Sequence, residues 1–193
     1  MIYVIMGKSA TGKDTIFDIL THNEELGLTR LVIYTTRPIR TGEIEGHQYH
    51  FVDEARMESL DKAGLIVEHR QYDTVHGIWH YFTVDDNEDI RKKESRYAMI
   101  GTLEAYEKLK DYYGGELVVP IYIETDDHDR LCRAINREKE QASPNYAEVC
   151  RRYLADEEDF SEDKLVCAGI DRRYRNNVLQ ECIDNICNDI KKH

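Results

Sequence analysis

Residues 7–13 read Gly7-Lys8-Ser9-Ala10-Thr11-Gly12-Lys13, set between the apolar run 2–6 and a helical stretch from Lys13 to about His22. These residues decide the fold. They satisfy most of the pattern G-x-x-x-x-G-K-[ST], in the strand–loop–helix setting that the pattern requires. Glycines let backbone N–H groups curl around a phosphate, and the helix N-terminus adds partial positive charge. Lys13 brings a full charge to the β and γ phosphates. The residues assigned to a nucleoside triphosphate are therefore Gly7, Lys8, Ser9, Ala10, Thr11, Gly12, Lys13, Asp14 and Thr15. Asp14 stands where the pattern has Ser or Thr. A carboxylate is a hard oxygen ligand, so Asp14 is expected to bind Mg²⁺ in its own way.

Outward from this loop, strands and helices alternate. Residues 30–34, 97–101 and 117–123 have the length and apolar character of buried strands. Residues 49–52 read as a short strand, 53–63 as a helix ended by Gly64, and 65–72 with 78–84 as paired strands around His76-Gly77. A helix from Leu103 to about Tyr112 closes at Gly114-Gly115. The C-terminal third reads as helical. One helix runs from Asp126 or Asp127 to about Gln141, and a second from an N-cap at Ser143, with Pro144 behind it, to about Phe160. A last helix starts at about Val178 and places Leu179, Ile183, Ile186 and Ile190 on one face. The run Asp156-Glu157-Glu158-Asp159 reads as a solvated helix face. The alternation predicts an α/β fold with a mainly parallel central sheet.

Of the 193 residues, 41% are hydrophobic and 33% charged, enough for one domain with a core. The formal net charge of −12 argues against generic binding to a nucleic-acid polymer, which depends on basic residues displacing counterions. It leaves room for a local basic pocket around a small polyanion. No apolar run approaches the roughly 20 residues that cross a bilayer. The expectation is a cytoplasmic protein without a membrane partner; the sequence sets no oligomeric state. Cys132, Cys150, Cys167, Cys182 and Cys187 form no C-x-x-C pair. They are expected to be reduced and mostly buried, with no zinc site. His76 and His80 stand four apart in a strand setting that does not suit a metal pair.

Thr35-Thr36-Arg37-Pro38-Ile39-Arg40-Thr41-Gly42-Glu43, leading into Gly46-His47-Gln48-Tyr49-His50-Phe51-Val52, adds a second group of anion-binding side chains. Two guanidinium forks and a phenol hydroxyl suit a phosphate dianion. Together with the phosphate loop this segment resembles the guanylate kinase family, in which T-T-R-x-x-R-x-G-E leads into G-x-x-Y-x-F. With the arginine-bearing lid and a late asparagine, the resemblance covers nearly the whole chain. It implies the three-layer fold of P-loop NTPases, with a core at 1–32, 95–125 and 162–193, an acceptor-binding (NMP-binding) lobe at about 33–94 and a helical lid at about 126–161. It also implies that Arg37, Arg40 and Tyr49 hold the acceptor phosphate, that Tyr81 serves it too, and that Glu68 accepts hydrogen bonds from guanine. Arg130, Arg133 and Arg137 share one helix face. Arg133 and Arg137 match lid arginines of the family and Arg152 a third; with Lys13 they would stabilise the phosphoryl group in flight. Asn176 matches an asparagine near the adenine of ATP. The implied reaction is ATP + GMP to ADP + GDP, with Mg²⁺ as cofactor.

The chain departs from the family in three places. The strand at 97–101 should end in acids, but the matching positions are Ile100 and Thr102. Ile33 stands where the family often has a guanine-reading serine, and another base-reading hydroxyl falls on Phe82. The phosphate-binding groups remain and the base-reading groups are thinned, which predicts a phosphomonoester acceptor with relaxed choice of base. The ribose bisphosphate kinases of the same superfamily also look similar in their G-K-D loop, so a sugar bisphosphate is an alternative acceptor. A catalytically inactive binding module is the other alternative; retention of Gly7, Gly12 and Lys13 argues against it.

Overall fold

The computed structural model describes residues 1–40, 42–74, 77–86, 90–92 and 94–193. Val75 and His76, on which the expected hairpin turn and histidine pair fall, lie outside the described residues, as does Thr41. In the first part of the chain come β1 (Ile2–Met6), α1 (Lys13–His22), β2 (Leu28–Arg30), β3 (Tyr34–Thr35), β4 (His50–Phe51) and α2 (Glu54–Lys62). Then follow β5 (Ile66–Thr74), β6 (Gly77–Val84), β7 (Arg96–Ile100), α3 (Leu103–Tyr113) and β8 (Val118–Glu124). The chain closes with α4 (Asp127–Lys139), α5 (Tyr146–Asp159), α6 (Glu162–Cys167), β9 (Arg173–Arg175) and α7 (Leu179–Ile190).

The central sheet has the order β2-β7-β1-β8-β9, with every neighbouring pair parallel. β1 is central and fully buried, because helices cover both faces. Ile2, Val4 and Met6 face a core with Leu103, Tyr106 and Leu109 of α3 and Leu165 of α6. Tyr3 and Ile5 face the opposite core, built with Ile16 and Leu20 of α1 and Ile183 and Ile186 of α7. The result is a three-layer α/β fold whose phosphate loop leaves the C-terminal end of the middle strand, where parallel α/β sheets place their ligands. A second sheet, β4-β3-β6-β5, stands beside it and packs Phe82 and Val84 on Leu60 of α2.

Several expectations are corrected. The run 30–34 is not one strand. β2 ends at Arg30, Leu31 N–H still reaches the Ala98 carbonyl at 2.8 Å, and the chain then crosses to the second sheet at Tyr34. A single apolar run thus serves two sheets. The N-cap of α5 is Asn145, whose side chain accepts from Glu148 N–H at 3.1 Å; Ser143 and Pro144 belong to the preceding connection. Leu179 shares the apolar face of α7 but is 40% exposed, since the core cluster on that helix begins at Cys182. Cys132, Cys150 and Cys167 are exposed, while Cys182 is buried. β9 and α6 were not foreseen: Arg173-Tyr174-Arg175 has one apolar residue and becomes a strand only by pairing with β8. Among the described residues, no helix is long and apolar enough to cross a membrane.

Candidate active site

The loop after β1 is shaped by positions that only small residues tolerate. A Cβ on Gly7 would stand 2.5 Å from the Ile123 carbonyl oxygen. Gly12 has φ +87°, and a Cβ there would lie 2.5 Å from Asn176 Nδ2. Ala10 holds φ +63°, a left-handed conformation that is strained for a residue with a side chain and marks a loop held by its surroundings. Two supports meet at the Thr11 carbonyl. Asn176 Nδ2 donates to the Thr11 carbonyl at 2.8 Å, and Thr125 Oγ1 donates to the same oxygen at 3.2 Å. Asn176 is buried, so its amide braces the loop instead of facing a cavity. Gly12 caps α1 with no side-chain hydrogen bond, which leaves the first N–H groups of the helix open to an anion. Lys13 is partly buried. Asp14 is 75% exposed, with a carboxylate oxygen 3.9 Å from Lys13 Nζ.

The acidic run in α5 is not a solvated face at its first two positions. Ser9 N–H donates to Asp156 Oδ2 at 2.7 Å, and Lys8 Nζ donates to Glu157 Oε1 at 2.8 Å. Glu157 also takes a hydrogen bond from Arg130 Nη2. Arg130 is 1% exposed, pairs with Asp127 at 2.7 Å and stacks 4.0 Å from the centre of the Tyr153 ring. It therefore ties α4, α5 and the phosphate loop together. Arg133 reaches the Asn176 carbonyl at 3.4 Å. Arg137 is exposed on α4. Arg152 shares Glu148 with Arg151, and hydrogen bonds from Arg151 first and then Arg152 hold that carboxyl down to about 2.

On the facing lobe, Arg37 is 3% exposed and forms a bidentate pair with Glu43 at 2.7 and 3.0 Å. Burial opposes its charge, but hydrogen bonds to Glu43 and Tyr81 outweigh it and hold the guanidinium above its ordinary pKa. Its guanidinium lies 5.4 Å from the Tyr49 ring centre and 5.5 Å from that of Phe51. Arg40 is exposed and lies 5.9 Å from the Trp79 ring centre. Tyr49 and Tyr81 meet edge to face at 5.6 Å, and burial raises the Tyr49 phenol. Glu68 is buried on β5. Arg70 grips it through Nε at 2.9 Å and Nη2 at 3.1 Å, and Thr83 Oγ1 donates to it at 2.8 Å. Thr83 pairs with Glu68 in the strand register, so the hydroxyl beside the glutamate is Thr83, and Phe82 turns into the lobe's core. Alternation along β6 sends neighbouring residues to opposite faces, so Thr83 and not Phe82 stands beside Glu68. Arg70 was not singled out in the sequence, although Glu68 and Arg70 at i and i+2 of a strand necessarily share a face.

One cleft of about 460 Å³ joins the two sides. Gly7 and Lys13 line one wall, and Tyr49, Tyr81, Trp79 and Arg70 line the other. Arg37, Arg40, Arg133, Arg137 and Arg152 do not line it. A second cavity, of about 340 Å³, opens behind the loop between Lys8, Thr11, Thr125, Asp126, Arg175 and Asn177. Asp14 fits Mg²⁺, which takes one or two carboxylates and fills its octahedron with water and substrate phosphates. It is exposed, it carries hard anionic oxygens, and it stands in the first turn of α1, beside the helix's open N–H groups.

A family model described as guanylate kinase matches residues 1–161. A guanylate kinase of Syntrophomonas wolfei is 30% identical over 111 residues, 56% of this chain and 56% of that protein. One of Alkalilimnicola ehrlichii is 37% identical over 70 residues, and the chain spans 34% of its length. The crystal structure of guanylate kinase from Anaplasma phagocytophilum superposes with a TM-score of 0.63 over 98% of this chain and 85% of that one, at 24% identity. That likeness is one of fold.

Proposed function

The chain belongs to the guanylate kinase family, and we propose that it is an ATP-dependent nucleoside monophosphate kinase that converts GMP to GDP. The observation that carries this reading is the shared cleft, with the phosphate loop on one wall and the phenols of the second sheet on the other. Such a cleft supports direct in-line transfer without a covalent protein intermediate, catalysed by positioning and charge. ATP lies with its phosphates on residues 7–15 and its base in the cavity beside Thr125 and Asn177. Lys13 neutralises charge on the β and γ phosphates. Mg²⁺, held by Asp14, would neutralise the triphosphate further. Tyr49 and Tyr81 orient the acceptor phosphate, with Arg37, paired to Glu43, behind the Tyr49 ring. Arg40, Arg133, Arg137 and Arg152 reach the phosphates only when lid and lobe close.

The test is a coupled assay of ADP release with ATP, Mg²⁺ and GMP, dGMP, AMP, UMP or phosphorylated sugars. GMP-dependent ADP release is expected, and Lys13→Met lowers its kcat by about two to three orders of magnitude. Transfer to a sugar phosphate alone would replace the acceptor. ATP binding without transfer to any acceptor would favour a binding module.

A further inference from the structure

The base end of the acceptor cleft presents a guanidinium where a guanine reader needs a carboxylate. Guanine's distinguishing N1–H and 2-amino groups are donors and require acceptors. The acid matched to that task is Glu68, and its side chain has no exposure; Arg70, 11% exposed, covers it. Both Glu68 oxygens are committed, one to Arg70 Nε and the other to Arg70 Nη2 and Thr83 Oγ1. Among the described residues, no protein group accepts from Arg70 Nη1. Arg70 is the residue of this ion pair that lines the cleft, together with Thr102, Ile33 and Ile100. The carboxylates in that lining, Asp156 and Asp159, come from α5; among the described residues, none comes from the second sheet.

We infer that Arg70 is a specificity-determining residue. It withdraws Glu68 from the base and replaces an acceptor with donors, so the cleft selects 6-oxopurine monophosphates through their O6 and N7 acceptors and ignores the 2-substituent. The inference rests on the kinase reading and deepens it. The chemistry is that of arginine on the O6/N7 edge of guanine, an edge shared unchanged by hypoxanthine and xanthine. Adenine carries a donor at position 6 and opposes the same guanidinium. A site that still held a free carboxylate against the 2-amino group would instead reject the base lacking it, because the buried acceptor would be left unpaired.

The experiment measures kcat/KM for GMP, IMP, XMP and AMP with saturating Mg·ATP, alongside calorimetric ATP binding. For the wild-type protein, GMP, IMP and XMP are expected within about tenfold of one another, with AMP at least about tenfold below all three. A GMP preference of more than tenfold over IMP and XMP, or AMP turnover equal to GMP, overturns the inference and leaves the kinase reading standing. No transfer to any of the four, with ATP still bound, overturns the kinase reading and the inference with it. Arg70→Met exposes Glu68 to the base, and the GMP-to-IMP ratio is expected to rise at least about tenfold, as for a regained charge-assisted bond. An unchanged ratio in a folded Arg70→Met protein contradicts the inference. Should that variant not fold, the wild-type ratios decide alone.

Discussion

At the scale of single residues, the phosphate loop shows how much chemistry follows from spacing. Gly7 and Gly12 sit where a Cβ would meet a carbonyl or an amide at 2.5 Å, and Lys13 follows at the helix start. These roles were legible because each depends on residue type and local order. Asp14 was legible as a departure from the pattern. With 75% exposure it carries no packing role, so its removal tests metal binding without a large stability penalty. Asp14→Ala is expected to raise the Mg²⁺ concentration for half-maximal turnover by about 10- to 100-fold. Metal-free ATP binding, followed by calorimetry, should stay nearly constant. An unaltered Mg²⁺ dependence would show that the carboxylate faces only solvent. Arg70 was not legible in the same way. Its meaning depends on which acid it covers and which cavity it lines.

At the scale of elements, the β5–β6 hairpin carries a further pair. His69 Nε2 and His80 Nδ1 lie 2.7 Å apart across the strands, within hydrogen-bond distance. Burial first, and then the neighbouring His80, hold the His69 imidazole below its ordinary value. The folded protein therefore binds fewer protons than the unfolded chain as the pH falls through the ordinary imidazole value of about 6.5. Stability from neutral His69 is complete above that pH and is lost as the pH drops toward the lowered folded value. The thermal midpoint is expected to fall between about pH 7.5 and 5.5. The fall should be smaller in His69→Gln; equal falls in both proteins would rule the pair out as its source. Helix α5 illustrates the opposite case. Its acids read as a solvated face because helical periodicity shows which residues share a side, not what that side meets. Arg130, Lys8 and the Ser9 amide meet it here.

At the scale of the whole molecule, the cleft lies between two sheets that share no strand. In the proposed reaction, an acceptor phosphate reaches Lys13, and Arg133 and Arg137 reach the transferring group, only if these parts approach each other. Trp79 is the chain's one tryptophan and lines the cleft close to Arg40. Saturating GMP is therefore expected to change its emission, with a midpoint that matches KM when Mg·ATP analogue is present. Emission that stays constant while calorimetry reports GMP binding would place the nucleotide elsewhere.

The order of residues by itself determined the alternation of strands and helices, the phosphate loop and the family resemblance, because these rest on periodicity and on fixed local spacing. It could not divide the run 30–34 between two sheets, make a strand of Arg173-Tyr174-Arg175, or tell Phe82 from Thr83 as the neighbour of Glu68. Those outcomes depend on partners far away along the chain. Only the tertiary structure decided that Glu68 is covered by Arg70 and that Asp156 caps the Ser9 amide, since a charge acquires its role from the groups that desolvate and pair with it.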